Sequence, residues 1–278
     1  MKVEYKLIFL TLLTRLGIGI LFVSILFSAL AWETPDEYIV TFIGMLITGI
    51  GLSISLLHVG RPSHVLNVFA NRKSMMSWEA LLSPPLMVVV AALVVFSYLY
   101  PESGWLWVAR VAVLLLGSGF IFVSGRAYYL RARPSWTTGL LLYEYIVSAI
   151  CLGLLGYATI MAFTGTLTLA VFQVISIMVL ALLAAEAIIT YAFRSRAIRT
   201  TVTAAKALEK PANQRLYVSF VLVGLALPAI LAVSGILGVN AIAIAPITLF
   251  VFLLGAIWWR ALFFRSATVI KITPDILN

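Results

Sequence analysis

The sequence predicts an all-α polytopic membrane protein of eight transmembrane helices, with both termini on the cytoplasmic side. Three observations predict it. The 278-residue chain is 63% apolar and only 10% charged, with a mean hydropathy of +1.12, whereas soluble domains are about 45–50% apolar and about 25% charged. Its apolar residues gather in runs of the length a helix needs to cross a bilayer, roughly 20 residues. Its Lys and Arg are confined almost entirely to alternate connections between those runs.

The spans read as 7–32, 39–57, 80–100, 105–125, 139–163, 169–193, 216–237 and 241–263. They leave almost no residues for an extramembrane domain, so 1–278 reads as one integral membrane domain. Strands of an outer-membrane barrel are about 9–11 residues with alternating polarity, and these runs do not alternate. Span 1 ends in Ala29-Leu30-Ala31, an A-x-A pattern of the kind that closes a signal peptide; the expectation is that it is retained as a helix. The small-residue pairs Gly17/Gly19, Gly49/Gly51, Gly117/Gly119 and Gly153/Gly156 fit close helix packing. Pro84-Pro85, Pro228 and Pro246 fall inside spans, where neighbouring helices can tolerate kinks.

The turns after spans 1, 3, 5 and 7 contain no Lys or Arg and carry Glu33, Asp36, Glu37 and Glu102. The N-terminus, the segments after spans 2, 4 and 6, and the C-terminal end hold 17 of the 19 Lys and Arg. The positive-inside rule places that basic side in the cytoplasm and the protein in the inner membrane as a multi-pass protein. The same segregation accounts for the net charge of +9 without nucleic acid; the partner it implies is the lipid bilayer.

With Arg260 counted among the C-terminal basic end, four charged residues fall inside spans, where charge is costly and functional by default: Arg15, Arg110, Glu144 and Glu186. Arg110 lies about one turn from the outer end and reads as an interfacial anchor whose head can snorkel. Arg15 lies on the order of 12 Å in from the basic side, Glu186 about 10 Å, and Glu144 somewhat less. Arg15 with Glu144 or Glu186 reads either as a buried ion pair or as a proton path.

A second cluster follows span 2. It holds both histidines, His58 and His64, with Arg61, and then Ser77-Trp78-Glu79. Ser77 is expected as the N-cap of span 3, which puts Glu79 in a first turn that favours its charged form. Carboxylate, imidazole and guanidinium at one membrane interface suit proton-coupled chemistry. A third cluster, Gly125-Arg126-Ala127-Tyr128-Tyr129-Leu130-Arg131-Ala132-Arg133-Pro134-Ser135-Trp136, reads as a snorkelling basic and aromatic belt, or as a lipid head-group clamp or a docking surface for an acidic partner made by Arg126, Arg131 and Arg133.

Absences narrow the chemistry. A membrane haem normally takes two histidines from different helices, and the two here are six residues apart, so no haem is expected. One cysteine, Cys151, cannot hold an iron–sulfur cluster. No P-loop, Rossmann fingerprint or zinc-protease motif is present. Redox work by this protein would require a diffusible carrier and another protein to take the electrons.

Two motifs carry a family resemblance. Ser55-Leu56-Leu57-His58-Val59-Gly60-Arg61-Pro62 with Asn67 and Ser74-Met75-Met76-Ser77-Trp78-Glu79, and Gly125-Arg126-Ala127-Tyr128-Tyr129 with Arg133-Pro134-Ser135-Trp136-Thr137-Thr138, resemble the membrane anchor subunit of anaerobic dimethyl sulfoxide reductases. The resemblance implies an eight-helix anchor of an anaerobic respiratory complex that binds menaquinol as a diffusible substrate. It would pass the electrons to an iron–sulfur subunit, which feeds a molybdopterin or tungstopterin catalytic subunit. It implies quinol-site roles for His58 and Glu79, with Arg61 as a motif neighbour. Two departures stand out: Trp78 occupies the place of the family's Arg before the glutamate, and Arg15 has no counterpart we can match. A protein with charges inside its spans also fits a secondary transporter or proton-conducting protein, for which no internal repeat is visible beyond two Ser-Trp pairs.

Overall fold

The computed structural model describes residues 5–30, 36–56, 74–129, 133–200 and 202–266. Among these residues there are eight helical segments long and apolar enough to cross a membrane, and no strand. They are α1 (Tyr5–Ala29), α2 (Glu37–Leu56), α3 (Met75–Leu99), α4 (Trp105–Ala127), α5 (Leu140–Thr164), α6 (Leu169–Thr200), a composite of α8 (Pro211–Ser219), a π-helical segment (Phe220–Ala226) and α9 (Leu227–Ile236), and α10 (Ala241–Arg265). A short helix, α7 (Val202–Leu208), joins α6 to α8. The protein is a multi-pass membrane protein.

The helices form two four-helix groups. In the first, α1, α2, α3 and α4 pack in a closed ring; in the second, α5, α6, α9 and α10 do the same. The groups meet where α5 packs on α1 and α4, and where α10 reaches α1. Uniformly apolar sequence is what such a centre requires, since a helix hydrophobic on all sides is one buried on all sides. The burial confirms it: 83% of the apolar stretch of α1 is buried and 72% of that of α5, against 22–39% for the other six. The segment with the signal-peptide look is therefore the most enclosed helix of the fold.

Lipid supplies little hydrophobic drive between helices, so close contact depends on small residues. A Cβ built on Gly19 would fall on the Ala149 carbonyl oxygen and 2.9 Å from Gly153 Cα, and one built on Gly153 would strike the Gly19 backbone. This contact sets the distance between the two central helices. Gly17 meets Gly44 and Thr48 of α2 in the same way. The tightest contact of the second group, Gly224 of the π-helical segment on Gly255 of α10, is not among the glycine pairs visible in the sequence, because its two members are 31 residues apart. Gly153→Ala is expected to lower stability by about 1–3 kcal/mol, the ordinary cost of forcing added volume into a packed contact. Thermal unfolding in detergent would measure it, and an unchanged midpoint would refute the assigned role.

The ends show how the helices stop. Gly165 caps α5 at φ +75°, its N–H bonding the Met161 carbonyl, and Gly238 turns the backbone toward α10 at φ +82°; both are left-handed conformations that glycine adopts without penalty. Asn240 then caps α10 by accepting from the Ala243 N–H at 3.4 Å. Three boundaries differ from the expectation by five residues or more. Helix α3 opens at Met75 rather than 80, because the N–H groups of Ser77 and Trp78 already bond the Ser74 carbonyl. Helix α6 runs on to Thr200 rather than 193, so Arg194, Arg196 and Arg199 sit on helix rather than loop. At about 1.5 Å per residue its 32 residues exceed the roughly 30 Å hydrocarbon core, and hydropathy cannot register a helix that continues into water. Helix α8 starts at Pro211, a residue suited to a first turn, five positions before the expected span. The π-helical segment ends just before Pro228, whose missing N–H could not have bonded the Gly224 carbonyl in a regular α-helix.

Candidate functional site

The end of the bundle where α1 begins also holds the N-terminus of α3, the end of α4, the start of α5 and the end of α10. This end is the basic face. Several turns in from it lies a cluster of buried charge. Arg15, on the third turn of α1, donates from Nε to the Thr11 carbonyl (2.7 Å) and from Nη1 to Glu144 Oε1 (3.0 Å) and Ser148 Oγ (3.0 Å). Arg260 of α10 donates from Nη2 to Glu144 Oε2 (2.5 Å). One carboxylate on α5 therefore bridges guanidiniums from α1 and α10, with all three side chains 1–2% exposed. Tyr145, the next residue, lies under both cations, with Arg15 Cζ 4.6 Å and Arg260 Cζ 4.2 Å from its ring centroid. Desolvated cation–π contacts of this kind contribute about 2 kcal/mol.

The expectation that Arg15 pairs with Glu144 or Glu186 resolves in favour of Glu144. Glu186 of α6 is buried and interacts electrostatically with Glu144, Arg15 and Arg260, but it is not the hydrogen-bonded partner. Arg260 is the residue that sequence reasoning misses. The charge pattern groups it with the C-terminal basic flank, although it lies three residues inside the apolar run 241–263. Such a position suggests snorkelling to water, and the buried Glu144 draws the side chain inward instead.

Glu79 sits on the second turn of α3, not the first. Ser74 occupies the N-cap position and its side chain makes no capping bond, so the expected Ser77 cap is incorrect. Ser77 is buried within the opening turn. The helix N-terminus therefore acts on Glu79 more weakly than expected, since its field falls off beyond the first turn. The carboxylate is held from another helix: Glu79 Oε1 accepts a 2.9 Å hydrogen bond from Ser124 Oγ of α4. It is half-buried, with the exposed side chains of Met75, Met76 and Trp78 on the preceding turn. Tyr128 and Tyr145 interact electrostatically with it, which brings Glu79 to the edge of the arginine cluster. His58 and Arg61 lie outside the described residues.

The third motif divides between packing and surface. Gly125 packs against Leu142 and Tyr145 of α5. Tyr128 is buried among Trp136, Phe263, Phe264 and Tyr145, and that burial pushes its phenol well above the ordinary range, keeping it neutral. Ser135 Oγ donates to the Ser266 carbonyl (2.9 Å), and Trp136 Nε1 to that of Phe263 (3.2 Å) while its ring stacks on Phe263 at 4.4 Å. This part of the motif ties the connection before α5 to the end of α10. Arg126 lies over Tyr129 at 4.8 Å and Arg133 over Trp136 at 4.5 Å, both half-buried; Arg131 lies outside the described residues.

On the opposite face Arg110 is not a free interfacial anchor. Its Nε and Nη2 donate to Glu37 Oε1 and Oε2 at 2.8 and 2.7 Å, a two-point clamp between α4 and α2. Glu37 reads in the sequence only as an acid of a short turn; the available signal is that it and Arg110 fall at the same, outer end of their spans.

An eight-span helical bundle with buried charge and no sizeable extramembrane domain among its described residues defines the class: a polytopic membrane protein. The family described as "DMSO reductase anchor subunit (DmsC)" matches residues 1–265. The protein belongs to that family. A curated relative, the C subunit of the anaerobic dimethyl sulfoxide reductase of Haemophilus influenzae, is 24% identical over 164 residues. That alignment spans 56% of the present sequence and 58% of the relative's own length.

Proposed function

We propose that this protein anchors a dimethyl sulfoxide reductase-type respiratory complex in the inner membrane and oxidises a membrane quinol there. The observation that carries the quinol reading is Glu79: a carboxylate at the end of a lipid-facing helix, with one oxygen on Ser124 and apolar surface beside it. Oxidation of a quinol releases two protons and two electrons. Glu79 accepts one proton, and His58, with Arg61 nearby in the motif, hydrogen-bonds the second quinol oxygen. The family resemblance supports menaquinol as the carrier. The electrons pass to an iron–sulfur subunit and on to a molybdopterin or tungstopterin catalytic subunit. These partners dock on the basic face over Arg126, Arg131 and Arg133, and the charge asymmetry of the connections supports a cytoplasmic position for that face.

A second reading, a secondary transporter or proton-conducting protein, draws on the buried charges. Glu144 weighs against a transported-ion site, since both of its oxygens are already held by arginines. The deciding test is purification in mild detergent, with mass spectrometry of the co-purifying proteins and extracted quinones. Recovery of an iron–sulfur protein, a molybdenum or tungsten enzyme and menaquinone is expected. Recovery of the protein alone, without quinone, would favour the second reading.

A further inference from the structure

Around the Arg15–Glu144–Arg260 bridge, five buried side-chain atoms have no hydrogen-bond partner among the described residues: Arg15 Nη2, Tyr145 Oη, Arg260 Nε, Arg260 Nη1 and Glu186 Oε2. Arg15, Tyr145 and Arg260 are each 1% exposed and Glu186 4%. Buried polar groups are almost always paired, and unpaired charged ones are the most costly. Here three guanidinium donors, one phenol hydroxyl and one carboxylate oxygen share one cluster, none bonded to another. Internal water resolves such a pattern, because a buried water makes about three hydrogen bonds and links donors to acceptors too far apart to meet.

Charge adds a second, independent argument. Glu144 supplies one negative charge against two guanidiniums. Glu186 faces Glu144 and Cys151 of α5, Arg15 of α1 and Arg260 of α10. The segment 220–236, which also packs on α6, carries no ionisable residue, nor does 134–136. Lys206 of α7 follows the far C-terminal end of α6. With Glu186 ionised the four charges cancel; with it protonated the cluster carries one positive charge. Arginine does not give up its proton, and Glu144 is held at both oxygens, so Glu186 is the member able to change.

We propose that Glu186 is an exchangeable protonation site inside the membrane domain, connected by internal water to the Arg15–Glu144–Arg260 bridge. The step is a proton transfer alone. An O–H bond forms at a Glu186 carboxylate oxygen, hydronium arriving along the water becomes water, and no electrons move. The inference is independent of the quinol reading and is tested without quinol.

The experiment is infrared spectroscopy of the full-length protein in lipid nanodiscs, through a pH titration and after transfer to D2O. The expected result is a carboxylic-acid C=O band that titrates, shifts in D2O within minutes and is lost in Glu186→Gln. Glu186→Asp should return it at a displaced frequency, which keeps the test decisive if the Gln variant fails to accumulate. Glu79→Gln should leave the band in place. Three results would overturn the proposal: no titrating band, a band that survives Glu186→Gln or disappears in Glu79→Gln, or a Glu186 band that does not shift in D2O and so reports a sealed acid.

Discussion

Glu144→Ala is expected to remove most of the folded protein from the membrane. The substitution leaves Arg15 and Arg260, both 1% exposed, over the Tyr145 ring with no hydrogen-bonded carboxylate between them. Removing one member of a buried ion pair costs about 3–5 kcal/mol, because the remaining charge stays desolvated. Here two charges are stranded by one change, against a total stability of about 5–15 kcal/mol for a typical protein. The loss falls where the two four-helix groups meet, since Glu144 joins α5 to α1 and to α10. Glu144→Gln keeps the volume and some hydrogen bonding but not the charge, so it should be milder. A triple variant, Arg15→Leu with Glu144→Leu and Arg260→Met, should regain much of the loss, because replacing a whole buried ion cluster by apolar side chains is often neutral or stabilising. Membrane-fraction yield and thermal unfolding in detergent measure all three. A single alanine variant that unfolds at the native midpoint would show that the bridge does not hold the groups together.

The contrast between Glu144 and Arg260 shows what a sequence of this kind exposes. Eight spans are legible because a run of some twenty apolar residues has one stable solution in lipid, a helix, and needs no tertiary information. Arg15, Glu144 and Glu186 are legible as candidates for the same reason, since charge in a span is conspicuous. Which carboxylate meets Arg15 depends on how α5 and α6 are rotated, and Gly19 against Gly153 sets that geometry between residues 134 positions apart. Arg260 is obscured by position: a cation near a span end usually reaches water, and only the facing Glu144 reverses that. Ser124 carries no sequence signal at all. It is one serine among several in apolar helices, and becomes part of a site only because α4 packs on α3 opposite Glu79. The end of α6 escapes for a different reason, since its last turns are helical and polar together.

Glu79→Gln is expected to lower quinol oxidation by the assembled complex about 100-fold or more, the usual contribution of a positioned general base being about 10²–10⁴. Glutamine preserves the side-chain volume and can still accept the Ser124 hydrogen bond, so packing of α3 on α4 is retained while the capacity to take a proton is lost. The variant should therefore accumulate and assemble normally, unlike Glu144→Ala, and reduction of the terminal acceptor from a soluble artificial electron donor should be unchanged. Glu79→Asp retains the acid on a shorter arm and should fall between the two, with the pH profile of quinol turnover shifted. Ser124→Ala removes one hydrogen bond from the carboxylate but leaves the acid in place, so it should have a smaller effect on turnover, seen also as a displaced pH profile. Native quinol turnover in Glu79→Gln would remove Glu79 from the reaction and leave its contact with Ser124 as a helix-packing bond. Loss of turnover with both donors would instead point to a defect in assembly, and the two outcomes separate because, on the proposed function, only the quinol route passes through this subunit.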